Sequence, residues 1–184
     1  MLETIVINLS NTELSHRDKI QNILSHKSIS HRTKVEFAYY CASDLEQYYD
    51  AKKNPEIYKK RQKCLDLVKQ WLINPELVSQ EELRDAIAAV NTAAYVTADP
   101  AAAYTAYAAA AAADSAAYAA ANSAADSGYT SAYAAYGAYV ATIAADYTVD
   151  AYTARSSVER QQWLYLFKLL KLDKNLIYLA IIIE

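Results

Sequence analysis

The chain has 184 residues, of which 54% are apolar, and it carries 17 Tyr but only 2 Gly and 3 Pro. So few turn-forming residues exclude a sandwich or barrel of many short strands, and they exclude a glycine-rich loop that cradles phosphates. The formal net charge of -3 argues against general nucleic-acid binding, which needs a clustered cationic surface. We therefore expect an all-α protein without a nucleic-acid partner.

Charge divides the chain into three parts that we assign to a single helical domain. Residues 1–84 mix acidic and basic groups, residues 85–154 hold six Asp and no Lys, Arg or Glu, and residues 155–184 end in an apolar tail. From residue 86 to residue 154, 32 side chains are Ala and 10 are Tyr. Ala has the highest helix propensity, and disordered segments are poor in aromatic residues. This part is therefore predicted to form the helical core.

Helix-start signals predict four helices before the alanine-rich part. Two of them begin with capping-box spacing, in which Ser is followed three residues later by Glu, and another has Pro at its first position. The four predicted helices run from Ser10 to about Ser25, from Ser28 or Ser30 to about Asp50, from Pro55 to about Leu72, and from Ser79 to about Thr97.

Three further helices are predicted in the rest of the chain. A fifth begins at Pro100, because Pro in the middle of a helix removes a hydrogen bond and clashes with the preceding turn. Gly128 is the latest point at which this helix is expected to end. The predicted ranges are Pro100 to about Asn122, Tyr129 to about Ala154, and Ser156 or Ser157 through Leu170. The whole pattern predicts an antiparallel bundle of about seven helices.

The two ends of the chain are rich in β-branched residues. Residues 4–7 and 177–183 fit a pleated surface better than a helix and could pair as a small two-stranded sheet, although the tail could instead extend the seventh helix. An apolar end of this kind also predicts a homo-oligomer, most simply a two-fold dimer. It is too short to span a bilayer, and the amino terminus lacks the features of a secretory signal. We expect a cytoplasmic protein without membrane contact.

Tyrosines and aspartates recur at helical spacing in the alanine-rich part. Tyr129, Tyr133 and Tyr136 lie on one stripe of the sixth helix, where Tyr is expected to fill the core in place of Leu. Two interpretations of the polar stripes stay open: they keep the bundle soluble and in register, or they line a site where Tyr rings stack and Asp accepts hydrogen bonds. The candidate site residues are Tyr104, Tyr107, Asp114 and Tyr118 on the fifth helix and Tyr139, Asp146 and Asp150 on the sixth.

Basic residues are candidates for holding a phosphate-bearing ligand. Since residues 85–154 contain no Lys or Arg, such a ligand would depend on groups outside them, above all Arg61, Arg155 and Arg160. The three His lie within the first 31 residues without carboxylates at metal-ligand spacing, and the two Cys lack a CxxC pattern. No cofactor, metal site or catalytic set is therefore expected.

Several segments resemble the Imm-5-like immunity proteins over roughly residues 34–170. The segments that carry the resemblance are Phe37-Ala38-Tyr39-Tyr40-Cys41-Ala42 followed by Leu45, then Val68-Lys69-Gln70-Trp71-Leu72, Glu81-Glu82-Leu83 before the alanine-rich part, and Glu159-Arg160-Gln161-Gln162-Trp163 after it. The composition is also similar to that of Ala- and Tyr-rich proteins encoded by large phages. The resemblance implies an all-helical fold and a non-enzymatic role in toxin immunity or phage–host conflict.

Two functions follow as hypotheses. The leading one is a binding protein that neutralises a protein target, either a toxin or a defence protein, as an immunity or anti-defence protein. The alternative is a sponge that sequesters a small nucleotide-like signal in a pocket lined by Tyr. The sequence does not decide between them.

Overall fold

A computed structural model describes residues 13–45, 54–121, 124–147 and 151–172, and every regular element in these ranges is helical. The helices are α1 (His16–Leu24), α2 (His31–Ser43), α3 (Pro55–Ile73), α4 (Gln80–Val96), α5 (Pro100–Ala121), α6 (Ala124–Asp146) and α7 (Ala151–Leu169), with a 3-10 turn at Pro75–Leu77. The predicted all-α class and helix number are confirmed for this part of the chain. The predicted terminal strands lie outside it, and the antiparallel order of the complete bundle stays a prediction.

Local capping places several helix starts where the sequence predicts them. Before α4, the backbone N–H of Glu82 donates to Ser79 Oγ at 3.2 Å, and that of Ser79 donates to Glu82 Oε2 at 2.8 Å, which completes a capping box. Ser30 Oγ accepts from the Thr33 N–H at 3.1 Å before α2. Pro55 and Pro100 stand at the first positions of α3 and α5.

Five predicted helix boundaries are wrong. Residues 13–15 are not helical and Ser15 caps α1, so that helix starts later than predicted. Helix α2 ends at Ser43 rather than near Asp50, and α7 begins at Ala151 rather than at Ser156 or Ser157. Helix α5 ends at Ala121, close to the predicted Asn122, but α6 begins at Ala124 rather than at Tyr129. Gly128 therefore lies inside α6, where a glycine costs about 1 kcal/mol relative to Ala without ending the helix. The predicted sixth helix is also divided, since α6 ends at Asp146 and α7 begins at Ala151.

Helix α5 lies at the centre of the described structure. It contacts α2, α3, α4 and α6, and its interface with α6 is the largest between any two helices. The hairpin of α5 and α6 is antiparallel, because Tyr104 meets Tyr147 at one end while Tyr118 meets Tyr129 at the other. Helices α1, α2 and α7 also pack on α6.

Alanine forms the contact surfaces of this hairpin. Most of the fully buried side chains are alanines, namely Ala102, Ala106, Ala108, Ala109, Ala112, Ala113 and Ala116 on α5, and Ala134, Ala135, Ala138, Ala141, Ala144 and Ala145 on α6. Thr105 and Ser115 of α5 and Thr130 and Ser131 of α6 are fully buried with them. Helix axes approach more closely when the residues between them are small. The bulky core side chains come from the surrounding helices, for example Phe37 of α2, Leu83 of α4 and Phe167 of α7.

The prediction that Tyr fills the core of α6 is wrong. Tyr129 is 55% exposed and Tyr147 is 51% exposed, while Tyr133 and Tyr136 are half-buried. A ring at any of these positions cannot enter an interface that Ala side chains already close. The tyrosines therefore lie along the edge of the hairpin, where they remain accessible.

The two glycines of α6 test this close packing as a matched pair. A Cβ on Gly137 would lie 3.5 Å from Ala111 Cβ and 3.8 Å from Ala108 O, whereas a Cβ on Gly128 would meet nothing within 4 Å. Gly137→Leu is therefore expected to lower the free energy of unfolding by about 1–3 kcal/mol through overpacking. Gly128→Leu should raise it by up to about 1 kcal/mol through helix propensity. Urea unfolding of both variants decides, and equal effects would contradict the packing described here.

Candidate functional site

Eight tyrosines along the edge of the α5–α6 hairpin form a surface that we call the tyrosine face. They are Tyr104, Tyr107 and Tyr118 of α5 and Tyr129, Tyr133, Tyr136, Tyr139 and Tyr147 of α6. All are half-buried or exposed, so each ring contacts the protein on one side and remains accessible on the other. Three of the predicted site residues, Tyr104, Tyr107 and Tyr118, and a fourth, Tyr139, thus lie on one surface.

A stack of three rings forms one end of the tyrosine face. The ring of Tyr118 lies 5.0 Å from that of Tyr129 and 5.3 Å from that of Tyr133, with interplanar angles of 22° and 13°. Stacked aromatic pairs at these separations add about 0.5–1.5 kcal/mol beyond the area they bury. The stack therefore holds three large side chains in fixed positions at the surface.

A second cluster forms the other end. The ring of Tyr104 stacks on Tyr147 at 5.6 Å and meets the edge of Tyr107 at 6.2 Å. Burial raises the pKa of the Tyr104 hydroxyl, and so do the neighbouring hydroxyls of Tyr147, Tyr136 and Tyr139. The Tyr104 hydroxyl therefore lies close enough to Tyr147, Tyr136 and Tyr139 to interact with them electrostatically.

Arg17 of α1 lies over the middle of the tyrosine face. Its guanidinium carbon is 5.5 Å from the ring centre of Tyr136 and 5.9 Å from that of Tyr139, which is the geometry of a cation–π contact. Arg17 forms no ion pair within the part of the chain that the structure describes, and its buried Nε has no hydrogen-bond partner there. Among the described residues, its guanidinium contacts aromatic rings and no carboxylate.

A surface pocket lies between Arg17 and the tyrosines. Its volume is about 380 Å³, and its lining residues are Arg17, Tyr129, Ala132, Tyr133 and Tyr136. The four residues from α6 are spaced 3, 1 and 3 apart, which places them on one side of the helix. We call this space the tyrosine pocket.

Hydrogen bonds to α7 hold α1 beside the pocket. Gln162 Nε2 donates to Ala138 O of α6 at 2.9 Å, which turns Gln162 Oε1 toward His16 Nε2 at 2.7 Å. His16 therefore donates from Nε2, and its ring also meets the edge of Trp163 at 5.5 Å. Because His16 precedes Arg17 in α1, these bonds fix the helix turn that carries the guanidinium.

The start of α6 is held by a buried lysine. Lys34 of α2 is 1% exposed, and its Nζ donates to Ser127 Oγ at 2.6 Å and to Ser127 O at 3.2 Å. Burial lowers the pKa of Lys34. This anchor lies one turn or less before Tyr129 and fixes the first turns of the helix that lines the pocket.

Asp114 lies beside the ring stack, as its helical register with Tyr118 predicts. Burial raises the pKa of its carboxyl to about 6, and no described group donates a hydrogen bond to it. The pKa of Tyr133 is raised by burial first and then by Asp114 and Tyr118, which places the carboxylate near the stack. Asp114 is thus a carboxylate that has lost water without gaining a partner.

Among the described residues, the other predicted site residues are not part of the tyrosine face. Arg61 is fully buried, and its Nη2 donates to Ala42 O at 2.6 Å between α3 and α2. Arg155 pairs with Asp146 at 3.0 Å and with Glu159 at 3.2 Å. The pair with Asp146 joins α6 to α7. Arg160 is exposed on α7, and Asp150 lies outside the described residues.

Sequence reasoning did not identify Arg17 or the pocket. The contact between α1 and α6 joins residues more than a hundred positions apart, and no local pattern reports it. In the described ranges, no group of three or more His, Cys, Asp or Glu side chains could hold a metal ion. Nor is any helix of these ranges both long and apolar enough to cross a membrane.

The raised pKa of Asp114 predicts a pH-dependent stability. Because the folded state favours the protonated carboxyl, the free energy of unfolding should fall as pH rises from about 4 to about 6. Asp114→Asn removes that penalty and is expected to stabilise the protein by about 1–3 kcal/mol at pH 7.5, with no gain near pH 4. Thermal unfolding from pH 4 to 8 measures the difference. Asp85→Asn, at an exposed position of α4, is the control for charge, and a gain that is independent of pH would contradict the prediction.

Comparisons with known proteins give no further indication of what this site does. No family model matches the chain, and searches of curated proteins and of solved structures give no match. The resemblance to the Imm-5-like proteins therefore stays a prediction, and the functional argument depends on the tyrosine face itself.

Proposed function

We propose that the protein is a non-enzymatic, cytoplasmic binding protein that neutralises a protein target in bacterial or phage conflict, as an immunity or anti-defence protein. The observation that carries the proposal is the tyrosine face: eight rings held at the surface by a hairpin that has no room for them inside. The resemblance stated from the sequence suggests the setting of toxin immunity or anti-defence.

The chemistry of tyrosine supports binding to a protein. Tyr supplies a large contact area with only two rotatable side-chain angles, so little conformational entropy is lost when it is buried in an interface. The stacking of Tyr118 on Tyr129 and Tyr133 lowers this cost further, because the rings are already ordered before a partner arrives. Aromatic residues are also enriched in the centres of protein interfaces.

Charge supports a partner with a basic binding surface. Helices α5 and α6 carry Asp114, Asp126 and Asp146 and no Lys or Arg. Because Asp146 is paired with Arg155 of α7, the hairpin has only a weakly negative charge. Complementary charge increases association rates and selects partners more than it increases affinity. The target surface that fits the tyrosine face best is basic and accommodates aromatic rings.

The alternative of sequestering a phosphate-rich signal has less support. It needs several accessible cations, but Arg61 is buried against Ala42 O, and Arg155 is engaged by Asp146 and Glu159. Arg17 is the cation that lines the tyrosine pocket. A ligand with several phosphates would therefore leave most of its charge unbalanced.

Two structural features complete the proposal. We infer an antiparallel order for the whole bundle, in keeping with the short connections between α3, α4 and α5. We also infer a homo-oligomer formed through the apolar tail, residues 177–183. Light scattering at tens of micromolar should give at least a dimer mass for the full chain, and Ile181→Asp should reduce it; a monomer mass for the unaltered chain would contradict this inference.

The binding role is tested by removing exposed rings without disturbing the core. In the triple variant Tyr129→Ser, Tyr139→Ser and Tyr147→Ser, all three positions are at least 36% exposed. We expect it to lose the protein that copurifies with the tagged unaltered chain. Loss of the stacked pairs of Tyr129 with Tyr118 and of Tyr147 with Tyr104 should lower its melting temperature, but a cooperative unfolding transition should remain. Tyr95→Ser is the matched control, because Tyr95 is 85% exposed on α4, outside the tyrosine face. A partner that survives the triple variant would refute the proposed surface.

A further inference from the structure

We propose that the tyrosine pocket binds a small molecule in which a planar aromatic ring carries one carboxylate group. This site shares Tyr129, Tyr133 and Tyr136 with the proposed partner surface, but the proposal does not depend on the masking of a protein target. The pocket occupies only one part of the tyrosine face, where Arg17 of α1 meets α6.

The rings explain why the ligand is expected to be planar and aromatic. Tyr129, Tyr133 and Tyr136 line one side of the pocket, and Ala132 lies among them with a side chain too small to fill the space. Aromatic walls around a small residue favour a flat ring that stacks on them. The volume of about 380 Å³ lies within the range of pockets that enclose small molecules.

Arg17 explains why the ligand is expected to be anionic. Its guanidinium lines the pocket, forms no ion pair among the described residues, and keeps a buried Nε without a hydrogen-bond partner. Because the Nε atom is enclosed by protein, an acceptor in the pocket would be reached by the Nη atoms, which are not among the buried unpaired atoms. The planar guanidinium matches a carboxylate through two parallel hydrogen bonds.

The charge balance limits the ligand to a single anionic group. Among the described residues, Arg17 is the one cation that lines the pocket, and Asp114 lies near the ring stack. A ligand with one negative charge is neutralised by Arg17, whereas a second charge would have no cation among these lining residues. The expected ligand of the tyrosine pocket is therefore an aromatic monocarboxylate.

Three probes of similar size separate the two contributions. 2-Naphthoate has both the flat ring and the carboxylate, 2-naphthamide keeps the ring but is neutral, and decahydronaphthalene-2-carboxylate keeps the charge without an aromatic ring. Isothermal titration of the full chain should show that 2-naphthoate binds at least tenfold more tightly than either of the others. No binding of 2-naphthoate at 1 mM, or equal binding of the acid and the amide, would overturn the proposal.

Variants assign the two contributions to residues. Arg17→Gln should reduce the affinity for 2-naphthoate to that for 2-naphthamide, while Arg84→Gln on the exposed side of α4 should leave both unchanged. Tyr129→Ser removes an exposed wall of the pocket, so it should weaken both naphthyl probes while preserving their ratio. Melting curves confirm folding of each variant. Undiminished binding of 2-naphthoate to Arg17→Gln would overturn the assignment. The loss of a protein partner in the triple tyrosine variant tests the proposed function and does not bear on this assignment.

Discussion

The close contact between the alanine surfaces of α5 and α6 is the constraint on which the rest of the structure depends. Gly137 faces Ala111 and Ala108 at a distance that leaves room for a methyl group and nothing larger. Small residues contribute little apolar area each, so stability must come from the density of contacts along the whole interface. Such an interface is uniform and narrow, and it excludes every aromatic side chain of the two helices.

The tyrosine face is the consequence of that exclusion. Rings that cannot enter the interface line its edge, where they stack on one another across the two helices, as Tyr118 does with Tyr129 and Tyr133. The same geometry removes water from Asp114 without giving it a partner. Helix α1 brings the guanidinium of Arg17 onto the rings of the same surface. A rigid, accessible and aromatic surface follows from packing alone, and binding is the function that such a surface supports.

Much of the fold could be predicted because its signals are local. The capping box of Ser79 with Glu82 and the prolines at 55 and 100 act within one turn, so the sequence alone places those helix starts. The errors concern effects between helices. Gly128 predicts the end of a helix from its local sequence, but α6 continues through this residue. The spacing of the tyrosines predicts a stripe without showing whether the stripe faces inward, because that depends on how closely two alanine surfaces approach.

The site shows the same division between local and distant effects. The shared register of Tyr104, Tyr107, Asp114 and Tyr118 was predictable from helical spacing, and these residues do lie along one edge of α5. Arg17 and the tyrosine pocket could not be predicted, since they depend on where α1 docks against α6. The assignment of Arg61 to a ligand site depended on its charge, and the structure places that charge against a buried carbonyl group.

The central claim is that alanine packing keeps the tyrosines of α6 accessible to solvent, and photochemically induced nuclear polarisation of tyrosine rings tests it most directly. The dye in this measurement polarises only rings that it can touch, and Tyr95, at 85% exposed, supplies a positive control. With resonances assigned through single Tyr→Phe variants, we expect strong signals from Tyr129 and Tyr147 and weaker ones from Tyr133 and Tyr136. Polarisation of Tyr95 with silent rings throughout α6 would show that tyrosine fills the core, and it would contradict the account.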